Sequence, residues 1–193
     1  MLRPFYDWTL RVSGHRHAER WLAAVSFIES SVFPIPPDVM LVPMILADRT
    51  RAWRIALIAT IASVLGGLAG YAIGLFFFEA IGQPILDFYG KADRFDEFAT
   101  MYNEWGAWVV FGAGVTPFPY KVITIASGVT RLDLLIFVIA SVLSRGLRFF
   151  VVAGLLWYFG PPIRKILERH LGLITTLFFV LLLGGFAAIK WLL

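Results

Sequence analysis

FIESSVFPIPPDVMLVP, residues 27–43, is apolar enough to lie at membrane depth, yet it carries two acids, Glu29 and Asp38, and four prolines. Proline lacks a backbone donor and its ring collides with the preceding helical turn, so Pro34, Pro36 and Pro37 forbid one continuous helix. Irregular backbone survives in hydrocarbon only where protein or a water-filled cavity covers it, and an acid held there is costly and usually functional. The stretch therefore predicts a helical hairpin, residues 21–47, that enters the membrane and turns back.

The composition around it agrees. Of 193 residues 59% are hydrophobic and 16% charged, with a mean hydropathy of +0.78, against roughly half apolar and a quarter charged in soluble domains. The expectation is an all-α integral membrane protein. No linker or low-complexity segment divides residues 1–193, which read as one membrane domain. The absence of cysteine excludes disulfides and thiolate metal sites. His15, His17 and His170 lack the companion ligands of a metal site, so no metal or cofactor is expected. A net charge of +4 is read as positive-inside topology and contact with anionic headgroups, not as affinity for nucleic acid. Residues 1–20 are charged throughout and lack the apolar run of a signal peptide; Trp8, Val12 and Trp21 suggest an interfacial amphipathic helix.

Beyond the hairpin, residues 55–78 hold 24 positions without a charge, more than the ~20 that cross a bilayer. Ala62, Gly66, Gly70 and Gly74 recur every four residues there, a small-residue stripe that lets a helix approach closely and permits a homodimer. Residues 79–106 form an acidic amphipathic connection. Residues 107–130 are again apolar, broken by Pro117 and Pro119 and charged at Lys121, and read as a second re-entrant hairpin. A membrane helix over 134–163 carries Arg145 and Arg148, and 173–193 makes a C-terminal span anchored by Lys190 and Trp191.

Pro34-Ile35-Pro36-Pro37-Asp38-Val39 matches Pro117-Phe118-Pro119-Tyr120-Lys121-Val122 at an offset of 83, with the charge inverted at the fifth position. If each broken segment returns to its starting side, the basic stretches 1–20, 48–54 and 160–172 share a side and hold ten of the 17 Lys and Arg. The acidic 79–106 connection falls opposite. The positive-inside rule then places the N-terminus in the cytoplasm. Two inverted-topology repeats follow, each a hairpin plus a transmembrane helix, with a binding site expected near the midplane where the broken helices meet.

Five ionisable residues lie at apparent membrane depth: Glu29, Asp38, Lys121, Arg145 and Arg148. Each alone would cost at least ~2.5 kcal/mol, so they are expected to cluster. Arg145 and Arg148 share a helical face, flanked by Ser141 and Ser144, and two planar guanidiniums suit phosphate oxygens. Lys121 would add a third positive charge, with Asp38 as its counterpart in the repeat. Glu29 and Asp38 suit proton coupling or gating; the bland alternative is an ion-pair network that only holds the hairpins together. Ser13-Gly14-His15 matches a fragment of a lipid-phosphatase signature but lacks a downstream histidine partner, and no catalytic residue is assigned.

FIESSVFPIPPDV, GGLAGYAIG, VTPFPYKVITIASG and SRGLRF, in that order over roughly residues 20–160, resemble the DedA family, also called the SNARE-associated or VTT-domain family, and its YqaA-type branch in particular. The resemblance implies a bacterial inner-membrane protein with two opposed re-entrant hairpins, acting on undecaprenyl phosphate or phospholipid headgroups with proton-motive force implicated. It implies that Glu29 and Asp38 are the family's acidic pair, Lys121 the basic residue of the second hairpin and Gly128 the glycine closing that motif. Many members have Arg-Phe-x-Pro where this chain has Gly114-Val115-Thr116-Pro117, so Arg145 and Arg148 stand in for the absent charge. The leading expectation is a proton-motive-force-linked flippase or scramblase for an anionic lipid headgroup, with membrane lipid and protons as its partners. The alternatives are a proton-coupled exporter of small ions or cationic drugs, and a non-transporting scaffold or assembly factor.

Overall fold

The computed structural model describes residues 17–32, 36–116 and 118–160. Most of the expected interfacial helix over 1–20, the hairpin prolines Pro34 and Pro117 and the expected C-terminal span over 173–193 lie outside the described residues.

The described elements are helical: α1 Ala18–Ser31, α2 Asp38–Ala47, α3 Ala52–Phe77, α4 Gln83–Phe88, α5 Ala92–Val115, α6 Tyr120–Val129 and α7 Leu134–Gly160. A 3-10 turn, Arg49–Arg51, leads into α3, and a π turn, Phe78–Gly82, joins α3 to α4. Helical backbone thus runs unbroken for 40 residues from Arg49 to Phe88. Together with the 27-residue α7, it is long and apolar enough to cross a membrane. At 1.5 Å per residue a ~30 Å hydrocarbon core needs about 20 residues; α1, with 14, and α2 and α6, with 10 each, fall short.

Local chemistry sets the ends. Pro36 and Pro37 stand where α2 begins, a position whose amides have no helical acceptor to lose, and their carbonyls take the amides of Val39 and Met40. Pro119 precedes α6 in extended backbone. The Asp48 side chain accepts from the Thr50 amide at 3.1 Å to start the turn before α3, and Asp133 accepts from the Ile136 amide at 2.9 Å to cap α7. Arg131, with a φ of 54°, reverses the chain between α6 and α7, a left-handed position uncommon for a side-chain-bearing residue.

Close approaches give the helix directions. Glu19 meets Arg54 at 2.7 Å, and Phe27 O occupies the space a Cβ on Gly66 would need, so α1 runs parallel to the first half of α3. Gly67 faces Tyr120, Gly74 meets Ile125 O and Gly128 meets Tyr71 O, so α6 runs parallel to the second half. α7 descends antiparallel to α3, from Arg145 beside Ser63 to Gly154 against Trp53 and Gly160 against Arg49. α5 runs the same way as α7, with Gly106 against Leu132 and Gly114 against Ser144. The small-residue stripe on α3 is thus filled from within the chain, by α1 at Gly66 and by α6 at Gly70 and Gly74.

One boundary differs from the sequence reading. α5 runs straight through residues 106 and 107, where the acidic connection was expected to end and the second hairpin to begin. Gly106 does not stop the helix, because the space its missing Cβ leaves is taken by the Leu132 side chain.

Two apolar clusters form the interior. Leu22, Leu41, Ile45, Ile55, Phe149 and Ala153 anchor one, and Val110, Tyr120, Leu132, Phe137 and Ala140 the other. Along α7 they are separated by residues 141–148, and that level is polar: Ser30, Ser63, Thr124, Ser141, Ser144 and Arg145 are all buried there.

Candidate functional site

The polar layer is built by helix ends meeting at half depth. α1 climbs beside α3 and ends at Ser31, delivering Glu29 and Ser30. α2 starts there with Asp38 in its first turn. α6 starts at the same level with Tyr120 and Lys121, and the long helices α3 and α7 pass through with Ser63, Arg145 and Arg148. Helix starts present unpaired amides and helix ends unpaired carbonyls, so polar and charged side chains are favoured where such ends are buried.

Arg145 is the centre of the layer. Its side chain is completely buried. Nη2 donates to Glu29 Oε2 at 2.7 Å and Nε to Ser63 Oγ at 2.6 Å. Ser63 Oγ lies 2.6 Å from Ser30 Oγ, which donates to the same Glu29 oxygen at 3.0 Å. The guanidinium carbon lies 4.8 Å from the Tyr120 centroid and 4.9 Å from that of Phe149, a cation–π arrangement that replaces part of the lost hydration. The Tyr120 hydroxyl donates in turn to Ser141 Oγ. One nitrogen, Nη1, is buried and has no partner among the described residues.

Arg148 sits one turn further along α7. Its Nη2 donates to Asp38 Oδ2, and this pair is more open: the two side chains keep 19% and 27% of their surface exposed, against 0% and 14% for Arg145 and Glu29. Lys121 Nζ donates to the Val32 carbonyl at 3.1 Å, the residue that ends α1, which ties the start of α6 to the tip of α1.

Arg145, Arg148, Glu29 and Asp38 thus meet as two pairs between distant parts of the chain. Asp38 and Lys121, equivalent in the repeat offset, have different partners: Asp38 meets Arg148 because α2 starts against α7, while Lys121 faces the end of α1. Pro36, Pro37 and Pro119 frame the helix starts, and Gly66, Gly70, Gly74 and Gly128 make the close helix approaches described above. Sequence reasoning did not single out Ser30, Ser63, Tyr120 or Phe149. Ser63 carried a usable signal, one polar residue on the small-residue face of an otherwise apolar span. The two rings did not, since nothing local distinguishes a ring that covers an arginine from one that faces lipid. Among the described residues no three His, Asp or Glu side chains are grouped to hold a metal ion.

Residues 35–158 match the family model described as the VTT domain. A Haemophilus influenzae protein named only "Uncharacterized protein" is 42% identical over 167 residues, covering 84% of this chain and 86% of that relative. The Histophilus somni "Uncharacterized protein HI0703 homolog" is 36% identical over 166 residues, covering 86% of each chain. No solved structure matches.

Proposed function

The chain belongs to the VTT-domain, or DedA, family of membrane proteins, and from that premise we propose that it is a transporter that moves an anionic lipid phosphate headgroup between leaflets. The carrying observation is the meeting of two chain breaks at one layer of five charges, Glu29, Asp38, Lys121, Arg148 and the wholly buried Arg145. α1 rises from the end where α3 begins, α2 returns, and α6 continues from the same mid-level toward the opposite end. In a bilayer this is a pair of opposed re-entrant hairpins, an inverted repeat in which a headgroup reached from either side meets the same residues. Arg148 and Lys121 bind the phosphate together with the free edge of Arg145. Glu29 and Asp38 act as exchangeable counter-ions, gating the site or coupling it to protons. The basic stretches 48–54 and 160–172 of the sequence support a reading in which the N-terminus is cytoplasmic and the membrane is the bacterial inner membrane.

One observation favours a second reading. Both arginines already hold a carboxylate, which is what a non-transporting scaffold stapled by ion pairs would have. An exporter of cations is less well supported, since its acids would have to be open to substrate and both are held by guanidinium groups. Reconstituted vesicles separate these. The proposal expects the purified chain to speed transbilayer exchange of a labelled anionic lipid, dependent on Arg148; exchange no faster than in protein-free vesicles sinks it and leaves the scaffold.

A further inference from the structure

The charge arrangement carries a selection rule for the headgroup, one that rests on the proposed lipid-phosphate reading. Arg145 is held by Nε on Ser63 and Nη2 on Glu29, with the Tyr120 and Phe149 rings close to its guanidinium carbon. The one edge left is Nη1, a buried donor with no partner among the described residues. Such a donor is costly to leave unmet, and an acceptor oxygen brought by a ligand satisfies it without breaking the pair to Glu29. Among the described residues the charged groups facing this layer are Glu29 from α1, Asp38 from α2, Lys121 from α6 and Arg145 and Arg148 from α7. α3 brings the Ser63 hydroxyl, and α5 brings the backbone of Gly114 against Ser144. Two of the three bases are matched by acids at hydrogen-bond distance. The third, Lys121, has a carbonyl. Counted over the described residues, the layer therefore holds one positive charge without a carboxylate partner.

We infer that the site takes a headgroup carrying one negative charge: a phosphodiester, or a phosphomonoester that retains one proton. A single charge neutralises the layer. A second would stay uncompensated inside the protein, where an unpaired ion is strongly disfavoured. A phosphomonoester loses its last proton near pH 6, so it enters the site carrying a proton that a diester has no need of. Movement of a monoester would thereby move a proton with it.

The test uses the full-length chain in neutral detergent, titrated with short-chain phosphatidic acid as the monoester, short-chain phosphatidylglycerol as the diester, and inorganic phosphate. For a monoester pKa near 6, the singly charged fraction falls about 90-fold from pH 5 to pH 8, so phosphatidic acid is expected to lose at least about tenfold in affinity over that range. Phosphatidylglycerol, whose charge is constant, is the control: its own change reports the protein's groups and is subtracted. Equal monoester affinity at both pH values after that subtraction, or tighter binding at pH 8, overturns the rule while leaving the lipid-phosphate reading standing. If inorganic phosphate alone binds, and more weakly at pH 8 in step with its own loss of the singly charged form, the charge rule stands and the lipid reading fails. If no anion binds, both fail. Lys121→Gln, which removes the unmatched charge, is expected to weaken diester binding at both pH values, and undiminished binding by that variant also overturns the rule.

Discussion

Arg145 on α7 and Glu29 on α1 stand 116 positions apart in the chain and meet at 2.7 Å, with the arginine wholly buried. Neither residue is tolerable at that depth alone, so the pair ties the last described helix to the first. Breaking a buried pair by removing one partner typically costs about 3–5 kcal/mol, whereas replacing both partners by apolar groups can be neutral. Arg145→Met and Glu29→Met are therefore each expected to lower the unfolding temperature of the detergent-solubilised chain sharply, since each leaves the other charge without its partner. The double variant should recover part of the loss. A double variant as unstable as the sum of the singles would show that the two side chains act independently, against the geometry.

Arg148 and Asp38 predict a different balance. Both side chains keep part of their surface open, and exposed pairs contribute roughly 0–1 kcal/mol. Arg148→Ala is expected to insert and unfold nearly like the parent while transbilayer headgroup exchange drops to the protein-free rate. Stability and transport are thus expected to part company at Arg148 and to fall together at Arg145. Loss of the folded protein in Arg148→Ala would instead favour the structural-network reading.

Much of this was legible in residues 27–43 and their echo at 117–122. Prolines forbid continuous helix whatever surrounds them, and charges in an apolar run must find one another, so the breaks, the clustering and the list of five charges follow from local chemistry. Which base meets which acid does not follow. Asp38 and Lys121 occupy matching positions in the two broken segments, but pairing depends on where α2 and α6 are aimed, and that is set by packing against α3. Ser63 stood out only as a polar residue on the small-residue face of its span, and its role depends on α7 passing at hydrogen-bond distance.

The glycines of the helix contacts give a graded series. A Cβ at Gly128 would overlap the Tyr71 carbonyl, and one at Gly66 the Phe27 carbonyl, both backbone atoms that move only if a whole helix moves. Gly112, in α5, has open space around the same position. Overpacking of this kind costs about 1–3 kcal/mol, whereas an unobstructed helical glycine gains about 0.5–1 kcal/mol on conversion to alanine. Gly66→Ala and Gly128→Ala are expected to lower thermal stability, and Gly112→Ala to leave it level or raise it slightly. Equal melting temperatures for all three would mean that the close approaches of α1 and α6 to α3 are not made.

Tyr120 separates two contributions to the buried arginine, because its ring lies over the Arg145 guanidinium and its hydroxyl bonds Ser141 Oγ. Tyr120→Phe keeps the ring and removes the hydroxyl, leaving Ser141 without this donor in a dry layer. A hydrogen bond is worth about 0.5–1.5 kcal/mol net, so a small loss of stability is expected with transport largely retained. Tyr120→Leu removes the ring as well, and with it one of the two aromatic faces that stand in for the arginine's lost water. A desolvated cation–π contact reaches about 2 kcal/mol, so the second step should cost at least as much as the first, and in Arg145→Met, where no cation remains to be covered, that extra loss should vanish. If Tyr120→Leu costs the same with or without Arg145, the ring is only filling space, and the arginine is held by Glu29 and Ser63 alone.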